Sequence, residues 1–149
     1  MTGRFTGSID AKMDVKGRVF VPAAFRKILQ KGEGEHLMMR KDIYQECLVL
    51  YPKQSWEAEL NRLREKLNRY NEEHQQFYRQ FVMDSEVLEM DSNGRILIPK
   101  RYLQKINLSK EVRFLGMDDV FEIWDRNKLE KPLLDSETFK ESAARLLSR

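Results

Sequence analysis

The strongest constraint on the fold is an internal repeat: residues 14–22 read DVKGRVFVP, and residues 91–99 read DSNGRILIP. Asp, Gly, Arg and Pro occupy the same four positions in both segments, and three apolar residues stand between each Arg and Pro. A repeat of this kind predicts two copies of one small fold, packed together as an internal pseudo-dimer. Two equivalent basic turns related by a two-fold axis favour a DNA-binding surface over a single catalytic pocket.

The similarity between the two copies continues beyond this motif. The segment AFRKIL, residues 24–29, has a counterpart in RYLQKI, residues 101–106. Each copy then closes with an apolar run that ends in an aromatic residue, Tyr51 or Trp124. The predicted organisation is a first repeat over residues 7–54, a helical linker over 55–82, a second repeat over 83–127 and a helical tail over 128–149.

Each repeat is predicted to have the element order β-β-α-β-β. The apolar runs at 19–21 and 96–98 stop at a Pro, which cannot donate a hydrogen bond to a sheet, and a short helix is expected after each Pro. The segments before the turns, 8–11 and 86–90, are expected to pair with these runs as β-hairpins. Further strands are predicted near residues 37–40, 47–51, 112–116 and 120–124.

Four turn residues are expected to have structural roles. The carboxylates of Asp14 and Asp91 are positioned to accept backbone N–H groups two residues on, as in an Asx-turn. Gly17 and Gly94 stand where the turn needs a positive φ, which Gly adopts without steric cost.

Two further stretches have a helical pattern. Between residues 54 and 83, apolar side chains recur at helical spacing, which predicts either one long helix or two helices with a bend near 68–71. Residues 136–149 form a second amphipathic stretch, with Asp135 or Ser136 as its N-cap. The linker apolar stripe is expected to pack mainly against the core, and part of it could instead pack between subunits.

The net charge of +3 conceals an asymmetry between the repeats. Residues 1–54 hold ten Lys and Arg against six Asp and Glu, whereas residues 83–127 hold seven against nine. A positive field confined to one repeat suits a phosphate backbone. An ordinary solvated surface would account for the same excess of charge.

Composition favours a cytosolic protein without a catalytic centre. No apolar run approaches the roughly 20 residues that span a bilayer, and the N-terminal residues lack the apolar stretch of a secretion signal. The single Cys47 lies in an apolar run, which favours a reduced compartment and an unreactive thiol. His36 and His74 have no partners at metal-ligand spacing, and no Walker or Rossmann motif is present. We predict no enzyme activity, no cofactor and no metal.

Basic residues in and near the turns are the candidate DNA contacts. A turn does not need Arg at positions 18 and 95, although either Arg18 or Arg95 could pair with the nearby Asp or with the opposite repeat. Arg presents a planar fork that fits a phosphate or the O6/N7 edge of guanine, whereas Lys16 is a point charge. Arg4 and Lys12 are assigned to the same field, and either could be a plain solvated charge.

The chain resembles the MraZ family in the order and spacing of its motifs. The resemblance covers nearly all residues before about 128 and rests on a set of segments: Phe5-x-Gly7, Asp14-x-Lys16-Gly17-Arg18, Leu48-x-Leu50-Tyr51-Pro52 with Trp56, Asp91-x-x-Gly94-Arg95-Ile96-Leu97-Ile98-Pro99, and Phe121-Glu122-Ile123-Trp124-Asp125.

The resemblance implies a mainly β fold with peripheral helices, in which two SpoVT/AbrB-type half-domains interlock as a double-split, swapped-hairpin β-barrel. It also implies a cytoplasmic, nucleoid-associated bacterial regulator of the division and cell-wall gene cluster. Such a regulator would form a ring-like homo-oligomer and bind repeated sites in promoter DNA through the turns, here through Lys16, Arg18 and Arg95. The second turn departs from the first because Asn93 stands where Lys16 stands, which favours a larger share of DNA contacts for the first turn.

A different class of function remains open on the same barrel. Antitoxins of this fold neutralise a partner protein through a C-terminal arm, which is expected to be disordered and acidic. Residues 136–149 are instead amphipathic and nearly neutral, and this composition favours the regulator.

Overall fold

The computed structural model describes residues 3–31, 36–130 and 132–148. The strands in these ranges are β1 (Ser8–Lys12), β2 (Arg18–Phe20), β3 (His36–Lys41), β4 (Cys47–Pro52), β5 (Ser85–Glu89), β6 (Arg95–Leu97), β7 (Glu111–Met117) and β8 (Val120–Asp125). The helices are α1 (Ala23–Lys31), α2 (Lys53–Lys66), α3 (Glu72–Met83), α4 (Lys100–Lys105) and α5 (Ser136–Leu146). The β-β-α-β-β order predicted for both repeats is confirmed, and the fold is mainly β.

The two repeats exchange strands. A six-stranded antiparallel sheet has the order β1-β7-β8-β4-β3-β5, and β2 pairs with β6 in a separate two-stranded ribbon. The first strand of each repeat therefore pairs with the third strand of the other, β1 with β7 and β5 with β3. The second strands pair with each other, as do the fourth strands. This pattern makes the two halves one unit with an approximate two-fold axis.

The prediction that each turn joins a β-hairpin was wrong. β1 ends at Lys12 and lies in the larger sheet, whereas β2 begins at Arg18 and lies in the ribbon. Because the strands are exchanged, Val19 of β2 lies opposite Ile96 of β6, and only 1% of the surface of each residue is exposed. Because β1 and β5 are the outer strands of the larger sheet, the described part of the chain has two separate sheets rather than one continuous closed barrel.

A cluster of Phe side chains forms the centre of the main core. The ring centroid of Phe5 lies 5.3 Å from that of Phe25 and 5.0 Å from that of Phe121. Phe25 belongs to α1, and its counterpart in α4 is Tyr102, which is fully buried and donates its hydroxyl to the carbonyl of Asp84 at 2.7 Å. The short helix after each Pro is thus fixed to the core by one aromatic residue.

The linker forms two helices, as one of the two alternatives predicted. α2 ends at Lys66, and α3 begins after Asn71, whose side chain accepts the N–H of His74. The indole of Trp56 stacks on Phe81 with the ring planes 7° apart, so the two helices cover β4 with a second apolar cluster. Tyr70, at the bend between them, is 91% exposed and lies outside this cluster.

The tail helix α5 begins where the sequence indicates. Its N-cap is Asp135, which accepts the N–H of Thr138 at 2.7 Å. Five apolar residues in α5 and beside it, here called the tail apolar face, are more than half exposed: Leu133, Leu134, Phe139, Leu146 and Leu147. Within the described ranges, no helix is long and apolar enough to cross a membrane.

Candidate nucleic-acid interface

The first turn is organised around the carboxylate of Asp14. One oxygen, Oδ1, accepts the backbone N–H groups of Lys16 and Arg18, each at 2.9 Å. The other, Oδ2, accepts the Nε–H of Arg18 at 2.7 Å. Gly17 has a φ of 90°, as the turn requires. The predicted Asx-turn and positive φ are confirmed, and the same carboxylate also orients the Arg18 side chain.

The second turn repeats this arrangement atom for atom. Asp91 accepts the N–H groups of Asn93 and Arg95 through Oδ1, each at 2.9 Å, and the Nε–H of Arg95 through Oδ2 at 2.9 Å. Gly94 has a φ of 85°. The four shared residues of the sequence repeat therefore build two copies of one local structure.

Each turn is bonded to the opposite repeat. The carbonyl of Gly17 accepts the N–H of Ile98 at 2.9 Å, and the carbonyl of Gly94 accepts the N–H of Val21 at 3.0 Å. These bonds hold the two turns at opposite ends of the β2–β6 ribbon. A strand of three residues is about 10 Å long, so the turns are close enough to contact one stretch of duplex.

The ribbon presents one face to solvent. Side chains alternate along a strand, so Val19 and Ile96 point into the core. The outward side chains, here called the ribbon face, are Arg18, Phe20, Arg95 and Leu97. In register, Arg18 lies opposite Leu97, and Phe20 lies opposite Arg95. Phe20 is 56% exposed and Leu97 is 52% exposed, so two Arg groups and two apolar groups alternate over the surface.

The Asp clamps leave the outer ends of both guanidinium groups available. Only Nε of Arg18 and of Arg95 enters a hydrogen bond among the described residues. Their Nη atoms have no protein partner there, and the side chains are 37% and 25% exposed, respectively. Arg95 also lies over the ring of Phe20, 5.7 Å from its centroid. Both groups are pre-oriented donors, and Arg18 is the more accessible.

The clamping carboxylates stay ionised well into acid solution. The backbone N–H of Arg18 is the largest influence on Asp14 and, with the Arg18 side chain and the Lys16 N–H, lowers the pKa of Asp14 to about 2 despite desolvation. The equivalent N–H of Arg95 is the main cause that lowers the pKa of Asp91. Each Arg therefore keeps its anionic partner at neutral pH.

The low pKa of Asp14 predicts an acid-sensitive turn. Because the folded pKa, about 2, lies below the ordinary value of 3.8, the ionised carboxylate contributes stability that is fully present above about pH 4 and is lost as the pH falls through 2. We expect the urea midpoint to fall further between pH 5 and pH 2.5 in the native protein than in Asp14→Asn. Equal falls in the two proteins would contradict the assignment.

The other predicted contacts occupy different places. Lys16 is exposed at the tip of the first turn, beside Arg18. Lys12 is exposed at the end of β1 next to this turn, in register with Glu111. Arg4 pairs with Asp118 at the β7–β8 connection, which is the opposite end of β1. The structure therefore groups Lys12, Lys16 and Arg18 and leaves Arg4 apart from them.

One basic residue at this surface escaped the sequence analysis. Arg26 of α1 is half-buried and reaches across to the second turn, where its Nη1 lies 3.4 Å from the carbonyl oxygen of Asn93. The equivalent residue in the second repeat is Leu103. The sequence signal that could have identified Arg26 was this difference between the two copies, basic in one and apolar in the other.

A second cluster of polar atoms lies away from the turns. One ligand-type atom each from Asp42, Cys47 and Glu122 falls within 4.8 Å of the others. Burial raises the pKa of the Cys47 thiol and of the Glu122 carboxyl, which favours their neutral forms. Asp42 is already engaged, since it accepts the N–H groups of Tyr44 and Gln45. The buried position predicted for Cys47 is confirmed.

The exchanged strands and the twin Asp–Arg turns define a duplicated, mainly β protein with one surface built from both repeats. The sequence profile of the family described as "MraZ protein, putative antitoxin-like" matches residues 5–80 and again residues 81–149. The chain belongs to the MraZ family, as its motifs predicted.

Similar proteins from several bacteria support this membership. The "Transcriptional regulator MraZ" of Bacteroides fragilis is 53% identical over 136 residues, which cover 91% of this chain and 86% of the relative. That of Phocaeicola vulgatus is 54% identical over 91% of this chain and 88% of its own length. That of Cytophaga hutchinsonii is 31% identical over 147 residues, which cover 98% of this chain and 96% of the relative. All three relatives are described as transcriptional regulators, which are not a class of enzyme.

Proposed function

We propose that this protein is a sequence-specific DNA-binding regulator whose ribbon face and two turns contact duplex DNA. The observation that supports the proposal most is the clamp on each Arg: Nε is held by an Asp, and the Nη atoms point outward without a protein partner in the described chain. A guanidinium fixed in this way loses little freedom on binding a phosphate or a guanine edge.

The dimensions of the ribbon fit the major groove. This groove is about 12 Å wide and admits a two-stranded β-ribbon. Entry of the ribbon face would bring the Arg18 and Arg95 forks to base edges. The exposed Phe20 and Leu97 could then contact thymine methyl groups, which are apolar features of the same groove. Lys16 would contact a flanking phosphate, and phosphate contacts of this kind set the register.

Replacement of Arg18 is expected to weaken DNA binding more than replacement of Arg95. Arg18 is the more exposed of the two, and Lys16 stands beside it, whereas Asn93 takes that place in the second turn. Loss of a bidentate base contact costs about 1–3 kcal/mol, and we expect Arg18→Ala to lie at the upper end of this range. Fluorescence anisotropy with duplex DNA from upstream of the protein's own gene measures the difference.

Two controls make that comparison interpretable. Arg18→Lys keeps the charge but lacks the fork, so it should recover only part of the lost affinity. Size-exclusion chromatography should give the same assembly for all variants, because position 18 is not part of the tail apolar face to which we assign self-association. Full affinity of Arg18→Ala, or equal affinity of the native and a scrambled duplex, would refute specific recognition by this turn.

We extend the proposal to the assembly and the target. The tail apolar face would be covered in a ring-like homo-oligomer, which would align several turns along repeated promoter sites and raise affinity through multivalency. In this proposal, the ribbon and the larger sheet correspond to the two parts of a double-split barrel formed by interlocked halves. The target would be the bacterial division and cell-wall gene cluster, and the protein would work in the cytoplasm on the nucleoid.

An antitoxin-like role is the second candidate, since the family description includes that term. Such a role would use a C-terminal arm that binds a partner protein. Here α5 is a capped helix with an apolar face, which fits self-association better than a disordered acidic arm. Recovery of a stoichiometric small toxin that α5 alone retains, together with no preference for native DNA, would favour this second role.

A further inference from the structure

The two turns differ in one charge, and the structure provides a replacement for it. Lys16 in the first turn corresponds to Asn93 in the second, so the second turn lacks a basic residue of its own at the tip. The structure brings Arg26 to that position from the other repeat. Arg26 corresponds in turn to Leu103, which covers the first turn with an apolar side chain.

The contact between Arg26 and the second turn is close. A Cβ placed on Gly94 would fall 2.7 Å from Cδ and 3.2 Å from Cζ of Arg26, so the side chain lies directly against the glycine. Its Nη1 is 3.4 Å from the Asn93 carbonyl oxygen. The equivalent Cβ on Gly17 would fall 3.3 Å from Cδ1 of Leu103. The two side chains therefore occupy equivalent places over the two turns, one basic and one apolar.

Arg26 differs from the clamped Arg residues in its partners. Arg18 and Arg95 each form an ion pair with a carboxylate. Arg26 forms none with any carboxylate in the described ranges, and the only hydrogen bond of its guanidinium there is the long one to a carbonyl. A half-buried guanidinium that forms no ion pair of its own has the chemistry of a phosphate-binding group.

We propose that Arg26 completes the second turn as a binding site for a DNA backbone phosphate. The first repeat supplies to this turn the charge that Lys16 supplies to the first turn. Each half-site then has one clamped Arg for base edges and one further cation for phosphate, although the cation comes from a different element in each. This inference rests on the proposed DNA-binding function.

The test uses Arg26→Leu, which places the residue of the equivalent position 103 at position 26. One phosphate contact contributes a slope of about 0.9 to the dependence of log K on log salt, equivalent to about an eightfold change in affinity between 1 M and 0.1 M. Anisotropy titrations of the full chain with upstream duplex should give about eightfold weaker binding at 0.1 M salt for each engaged second turn, with a correspondingly shallower slope.

A matched control and a rescue separate this site from a general loss of charge. Lys27→Gln removes an adjacent exposed charge and also copies the opposite repeat, which has Gln104, and it should change affinity by less than Arg26→Leu. Asn93→Lys in the Arg26→Leu background returns a cation to the second turn and should restore both affinity and slope. If Arg26→Leu lowers the Tm of the protein, Arg26→Gln removes the same charge with a polar side chain.

The outcomes distinguish this inference from the proposed function. Native affinity for Arg26→Leu, with weak binding by Arg18→Ala, would overturn the Arg26 site and leave the DNA-binding function standing. Equal losses for Arg26→Leu and Lys27→Gln without rescue by Asn93→Lys would also overturn the site. Native affinity for Arg26→Leu and Arg18→Ala alike would contradict both proposals.

Discussion

Raising the salt concentration from 50 to 200 mM is expected to weaken DNA binding by this protein about 10³-fold. In the proposed interface, phosphate would bind to cations, among them the exposed Lys16 and the half-buried Arg26. Several copies of both turns would act together in an oligomer. If about six phosphates are engaged, the released counterions give a log–log slope of about −5.

The slope is measured by anisotropy titrations at several salt concentrations, with the native and a scrambled duplex side by side. Phosphate contacts are independent of sequence, so the scrambled duplex should also bind less tightly as salt rises, from a lower starting affinity. Matched variants make the test sharper: neutralising Lys16 should make the slope shallower, whereas Arg4→Gln should leave it unchanged, because Arg4 pairs with Asp118 away from the turns. A slope near zero for the native duplex would argue against binding through the charged turns.

The local structure of this protein follows from local sequence signals. The Asp14 carboxylate accepts N–H groups two and four residues on, and Gly17 adopts the positive φ that the turn demands. Both interactions lie within a few residues, so sequence spacing predicts them. The same holds for the α5 N-cap, predicted as Asp135 or Ser136, where the short side chain of Asp135 accepts a free N–H group of the first helical turn.

Local sequence signals did not predict the strand exchange, because the first strand of each repeat has two similar partners available, one in its own repeat and one in the other. In a duplicated chain, β1 meets the same pattern of apolar and polar residues whether it pairs within its own repeat or with the other one. The structure takes the second option, with Ile9 opposite Phe114. What favours exchange is the burial of Val19 and Ile96 between the repeats, a non-local contact that hairpin rules do not include.

The Arg26 contact shows the same limit for the candidate site. Nothing in the local sequence places Arg26 at a turn, and only the packing of α1 against the opposite turn brings its side chain over Gly94. By contrast, the clamped Arg18 and Arg95 were found from sequence because each lies in the repeated motif itself. Residues that reach a site from another repeat are visible in sequence only as a mismatch between copies.

Gly17→Ala is expected to destabilise the fold by about 2–5 kcal/mol, clearly more than Gly94→Ala. Both positions have positive φ, which costs a residue with a Cβ about 1–2 kcal/mol. At Gly17 the new Cβ would also fall 2.9 Å from the carbonyl oxygen of Ile98, which is backbone and cannot move aside freely. That clash adds about 1–3 kcal/mol of the kind caused by overpacking. It also strains the bond from the Ile98 N–H to the Gly17 carbonyl.

At Gly94 the neighbour is the Arg26 side chain rather than backbone, so the strain can be relieved by moving one flexible group. Urea denaturation of both variants measures the difference in the free energy of unfolding, and equal losses would contradict the steric account. The same geometry predicts a second contrast. A Cβ at position 94 takes the space of Arg26, so Gly94→Ala should stay folded yet bind DNA as weakly as Arg26→Leu. Adding Arg26→Leu to Gly94→Ala should then cause little further loss, since both changes remove one phosphate contact.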